Sequence, residues 1–155
     1  MIERYFEGIV PPAGTYSDAD LHIQKTVAEA AAAADAAIER FRIDEAITSI
    51  WKIVDALNLY ITENEPWALA KDEAQRDRLG TVLYTAAEGL RALAVLLSPV
   101  MPVSTEKLWI ALGAAESLGR LQDQPIRDAG AWGSLKPGTS VNGLAPLFPR
   151  VEQSV

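Results

Sequence analysis

Residues 43–71 read IDEAITSIWKIVDALNLYITENEPWALAK. Within them Ile43, Ile47, Ile50, Val54, Leu57 and Ile61 step by four, three, four, three and four, which puts them on one face of an α-helix. Ile53 and Tyr60 widen that face. The stripe stops at Pro66, whose ring fixes φ, removes an amide donor and disfavours helical geometry at Glu65. The spacing predicts a helix over 43–64, a break, and a short new turn over 67–71. An apolar face this long needs partners, so the neighbouring segments decide the fold class.

Upstream, Ser17 or Asp18 is placed to cap a helix running to Phe41, with Asp20 in its first turn favoured by the helix dipole. Its stripe is Ile23, Val27, Ala30, Ala31, Ala34, Ile38 and Phe41. The small side chains of Ala28–Ala37 allow a neighbouring helix to approach closely. Residues 1–8 read as the last turns of a helix, with Tyr5 and Phe6 apolar and Gly8 a stop, and Pro11, Pro12 and Gly14 mark a loop. Downstream, Asp72 with Gln75 three residues on resembles a capping box opening a helix over 72–98. From Leu79 that helix is apolar nearly all round, the mark of a central element. Pro99 and Pro102 end it, and a helix over 104–112 brings in Leu108, Trp109 and Leu112.

After Gly113 no period persists. The expected fold is all-α: a bundle of about five helices over residues 1–112, and an extended, mostly irregular tail over 113–155. The tail is expected to pack back through Leu118, Trp132, Leu144, Leu147 and Phe148. Trp51 and Trp109 both read as packing residues.

Composition narrows the function. A chain of 155 residues suits one domain. With no cysteine, a disulfide framework, a Cys-based zinc site and a Cys nucleophile are excluded, and a cytoplasmic location is the expectation. The apolar tract Leu90–Val103 is shorter than the ~20 residues a membrane span needs, and Met1–Arg4 does not open a signal peptide. No phosphate loop, dinucleotide fingerprint, zinc spacing or nucleophile elbow is present. The single histidine, His22, has no second ligand in register and reads as a surface residue. No catalytic residue is expected. The net charge of −7 opposes general nucleic-acid binding, so any such role needs a small local site or help from elsewhere.

One such site is legible. The segment Leu57–Lys71 resembles the Asn-x-Tyr…Pro-Trp-x-x-Ala-Lys signature of methionyl-tRNA synthetases, class I aminoacyl-tRNA synthetases. Further pieces agree in order: Tyr5-Phe6-x-Gly8-x-Val10-Pro11, Ser98-Pro99-x-Met101-Pro102, Glu106-Lys107-Leu108-Trp109, and Pro146-Leu147-Phe148-Pro149-Arg150-Val151-Glu152. The resemblance implies a helical bundle that receives the tRNA anticodon loop, with Trp67 in the position that stacks on an anticodon base and Pro66 turning the chain so that the ring projects. An indole supplies ~1–3 kcal/mol of stacking per base. Asn58 would hydrogen-bond a base edge or pin the Pro66 turn from within. Lys71, Arg76 and Arg78 are candidate phosphate contacts. On the residues alone, Trp67 is equally a buried staple of the helix junction.

The family's Asn and Arg one turn apart, two to three turns ahead of the Tyr-Phe stretch, are not among these residues, and neither are the catalytic signatures. The resemblance therefore implies a fragment or free-standing remnant that binds tRNA weakly. It implies no cofactor of its own; ATP, and zinc where present, would belong to the parent's catalytic domain. The implied partners are tRNA and that catalytic domain, with no membrane and no DNA. Rival readings are a helical protein-interaction module, or the bundle of another class I synthetase.

Overall fold

The computed structural model describes residues 1–148. Seven α-helical segments form among them: α1 (Ile2–Tyr5), α2 (Asp18–Glu39), α3 (Ile43–Asn64), α4 (Pro66–Leu69), α5 (Arg76–Leu97), α6 (Pro102–Ala111) and α7 (Ala114–Leu118). The described residues hold no β-strand, only one antiparallel bridge, Ile9 with Ser140. The chain is all-α.

A paired helical hairpin, α2 and α3, forms the frame. Each helix has 22 residues, about 33 Å at 1.5 Å per residue. A capping box opens α2: Ser17 Oγ accepts the Asp20 amide, and the Asp20 carboxylate accepts the Ser17 amide at 2.7 Å. At the other end the Arg42 amide donates to Ala37 O and the Phe41 amide to Ile38 O, a Schellman closure. Phe41 takes the left-handed position of that closure, at φ 58°, and is 90% exposed. Its place in the inward stripe is thus corrected: the helix has already ended at Glu39.

Helix α5 fills the centre, packed by α2, α3, α4 and α6. With the 3-10 turn Glu73–Gln75 before it, it is long and apolar enough to span a bilayer by length and composition, but 89% of its apolar window is buried within the bundle. Asp72 does cap this end, accepting the Ala74 amide at 3.0 Å. No return bond from Gln75 forms among the described residues, so the second half of the expected capping box is absent. Gly89 lets α3 approach closely, since a Cβ there would lie 2.8 Å from Leu57 Cδ1. Proline at the first turn opens α6. Trp109 on α6 is buried, its Nε1 donating to Gly119 O at 2.8 Å. Trp51, by contrast, is 51% exposed on α3 and is not the packing residue expected.

The segment after Gly113 is less extended than the sequence implied. It winds through α7 and 3-10 turns at Leu121–Asp123 and Ile126–Asp128. Its anchors are Leu121, Ala129 and Leu135, all buried, with Leu118 and Trp132 partly so. Leu144 and Phe148 remain exposed. Two buried charges on α5 fasten this segment. Glu88 accepts the amides of Gly133 and Leu135, while Arg91 pairs with Glu88 and donates to the carbonyls of Ala129 and Ala131. Gly130 crosses the alanine face of α2, where a Cβ would meet Ala31 Cβ at 3.1 Å. The chain then returns to its own beginning: Val10 N donates to Thr139 O, Gly138 N to Val10 O, and Val141 N to Gly8 O.

Candidate nucleic-acid interface

The break between α3 and α4 is built from four consecutive residues. Asn64 ends α3. Glu65 adopts the left-handed conformation, φ 40° and ψ 61°, uncommon for a residue other than glycine, and the right-handed helical region is disfavoured to it by Pro66. Pro66, at the first position of α4, is buried. Trp67 follows and is 42% exposed. The one-turn helix α4 is fastened by Pro66 and by Leu69, which packs on the core, and this leaves Trp67 and Ala68 on its outer side. Trp67 is therefore no core staple.

Beneath this turn lies a polar cluster joining three helices. The Asp20 carboxylate, fully buried, accepts from the Ser17 amide and hydroxyl, from Arg78 Nη1 and, in a short contact, from the Tyr60 hydroxyl. Arg78 Nη2 donates to Asn64 Oδ1 at 2.6 Å, and Asn64 Nδ2 donates to Tyr60 O at 2.9 Å. Burial pushes the Asp20 carboxyl up, but the bonds from Arg78, Tyr60 and Ser17 outweigh it and hold the group below the ordinary aspartate range. Burial, reinforced by the Asp20 carboxylate, pushes the Tyr60 phenol up, so it remains a protonated donor. Desolvation opposes the charge on Arg78; its pairing with Asp20 prevails, and its pKa is raised.

The three basic residues differ in setting. The Arg78 guanidinium donates to Asp20 and Asn64 and is only partly exposed. Arg76 is exposed and stacks its guanidinium over the Phe6 ring, 4.8 Å from the centroid. Lys71 is exposed. Both stand among exposed Glu63, Glu65, Asp72, Glu73 and Asp77, so the rim is mixed in charge. Asn58 is exposed on α3 and makes no side-chain hydrogen bond among the described residues; the residue that pins the turn from within is Asn64. Sequence reading missed Asp20 and Asn64 as parts of one cluster. A signal existed: Asp20 continues the inward stripe of Ile23, Val27 and Ala30, where a carboxylate requires partners.

A separate open groove of about 490 Å³ runs between α1, α3, α5 and α6, lined by Ile2, Ile61, Leu83, Leu90, Leu108 and Leu144. The alanine face of α2 is largely spent inside the fold, since Ala30, Ala31, Ala34 and Ala37 are buried. His22 is exposed, and no group of metal-ligating residues gathers among the described residues.

A central buried helix, a flanking hairpin and a partly exposed indole at a helix break are the features that define this bundle. Residues 20–141 match the family described as the anticodon-binding domain of tRNA ligase, and the chain belongs to that family. The methionine–tRNA ligase of Streptomyces coelicolor is 46% identical over 156 residues, covering 99% of this chain and 29% of that protein. The methionine–tRNA ligase of Caldanaerobacter subterraneus subsp. tengcongensis is 37% identical over 98% of this chain and 23% of its own length. Among solved structures, the apo form of Mycobacterium tuberculosis methionyl-tRNA synthetase superposes with a TM-score of 0.86 at 29% identity, covering 99% of this chain and 30% of that one. The chain thus spans less than a third of the length of these relatives. Of the final piece of the motif series, Pro146 to Glu152, the part from Pro149 on lies outside the described residues.

Proposed function

We propose that this chain is the anticodon-binding domain of a methionyl-tRNA synthetase, working in the cytoplasm, and that Trp67 stacks on a base of the anticodon loop. The observation that carries this reading is a half-exposed indole on a one-turn helix that Pro66 and Leu69 hold to the bundle. A ring presented in this way offers a flat face to an unstacked base without unfolding anything. Stacking is tolerant of base identity, so discrimination falls to polar groups around the ring, of which exposed Asn58 is one candidate. Lys71 and Arg76 are the phosphate contacts; Arg78 serves from beneath. In the whole ligase, methionine would be activated with ATP in a separate catalytic domain, the second partner of this one.

Binding by the chain alone is expected to be weak, because a net charge of −7 and a mixed rim give phosphate little attraction. Titration of a methionine-tRNA anticodon hairpin into Trp67→Ala should show affinity lower by roughly 5- to 150-fold, the equivalent of one lost base stack. Trp51→Ala, which removes an exposed indole from the flank of α3, should bind as the parent does. With only two phosphate contacts, the slope of log affinity on log salt should be shallow, about 1–2 in magnitude. Equal losses in both variants, or none in Trp67→Ala, would reject the assignment.

A further inference from the structure

The geometry points to Arg78 and Asn64 as positioning residues for Trp67, forming a clamp that sets the angle at which the indole meets a base. This rests on the stacking role proposed above. The Arg78 guanidinium divides its donors between two helices, Nη1 to Asp20 on α2 and Nη2 to Asn64 on α3. Asn64 is held on both sides of its amide, by Arg78 at the oxygen and by Tyr60 O at the nitrogen. It is the last side chain hydrogen-bonded into the cluster before the ring. Beyond it the backbone has little freedom: Glu65 is locked in the left-handed region and Pro66 has a fixed φ. The Trp67 indole nitrogen itself finds no hydrogen-bond partner among the described residues, unlike Trp109 and Trp132. Its orientation is therefore inherited from the backbone that the clamp fixes.

An ion pair is a costly way merely to close the end of a bundle, since apolar side chains of similar volume commonly do so as well or better. What the pair adds is direction. The buried Asp20 carboxylate aims the guanidinium, and the guanidinium aims Asn64.

Asn64→Ala removes the link to the turn and leaves Asp20, Tyr60 and Arg78 in place. In the ¹⁵N-labelled full chain, the Trp67 indole N–H signal should shift or broaden in this variant while those of Trp51, Trp109 and Trp132 hold. Affinity for the anticodon hairpin should fall about tenfold, as for a lost hydrogen bond to a charged group. Asn64→Asp, which keeps the acceptor for Arg78 but loses the donor to Tyr60 O, should restore only part of the loss. Because the clamp acts through the ring, Asn64→Ala should cost nothing more when Trp67 is already alanine. Arg78→Met provides a second break in the same path. An unmoved Trp67 signal in Asn64→Ala, or an undiminished affinity loss in the Trp67→Ala background, would overturn the clamp. Should Trp67→Ala bind RNA as well as the parent, the stacking role fails, and the indole signals alone still decide whether the clamp orients the ring.

Discussion

Asp20 is the residue on which one end of the bundle turns. Its carboxylate caps its own helix, receives a phenol from α3 and a guanidinium from α5, and is sealed from water. Asp20→Asn should cost about 3 kcal/mol, near the lower end for breaking a buried pair because Arg78 keeps some solvent contact. Urea denaturation at neutral pH measures this. The folded carboxyl titrates below its ordinary value of 3.8, so its contribution is complete above that pH and is lost as the pH falls toward the depressed folded value. Stability of the parent should decline there, and the Asn variant should lose that part of the acid limb. Phe41 is the opposite case, a large side chain held at φ 58° and almost fully in solvent. Phe41→Gly should stabilise the chain by about 0.5–1 kcal/mol, the left-handed strain relieved less the glycine's greater unfolded entropy. A lower thermal midpoint in that variant would mean that the ring makes contacts the fold depends on.

Among the helices, α5 shows best how close packing sets its own limits. Gly89 costs helix propensity, roughly 1 kcal/mol against alanine. It is retained in a helix whose α3 neighbour lies too near for a methyl group. Gly89→Ala should therefore destabilise by about 1 kcal/mol net, overpacking against Leu57 exceeding the propensity gain. Adding Leu57→Ala tests the cause: the two changes should cost less together than the sum of their separate costs.

Helices α2 and α3 were legible because each buries one face, which the 3.6-residue period records directly, and α5 because it is apolar nearly all round. The Pro66 break was equally plain, since proline acts through covalent geometry. What escaped was set by partners distant in sequence. Asp20, Asn64 and Arg78 belong to three different helices, and no local pattern announces that they meet. Arg78 reads from sequence as a phosphate contact because it follows Trp67 closely in a charged stretch, Glu73 to Arg78. Trp51 looked like a packing residue because its helix is amphipathic, although its own position falls on the outer side. The segment after Gly113 was read as irregular because single helical turns are too short to show a period. Its anchoring depends on Glu88 and Arg91, two charges within the most apolar helix of the chain.

For the molecule as a whole, those two charges decide whether the last quarter of the described residues stays attached. Glu88→Gln removes the negative partner of a buried arginine and should cost about 3–5 kcal/mol. Hydrogen exchange should quicken first at the Gly133 and Leu135 amides, which Glu88 accepts. Exchange there at the parental rate would show that the apolar anchors Leu121 and Leu135 hold the segment by themselves. Gly113 makes the same attachment from the other side: a Cβ at that position would lie 2.1 Å from Ser140 O, so the crossing tolerates no side chain.

The antiparallel pairing of residues 8–10 with 138–141 has a mechanical consequence. It brings the incoming and outgoing chain to one patch of surface, with Glu3 beside Gly143. Tension applied between the two ends would load those hydrogen bonds one after another, as a zipper opens, before it pulled on any long helix. Under force the bundle would hang as an intact pendant from a parted seam.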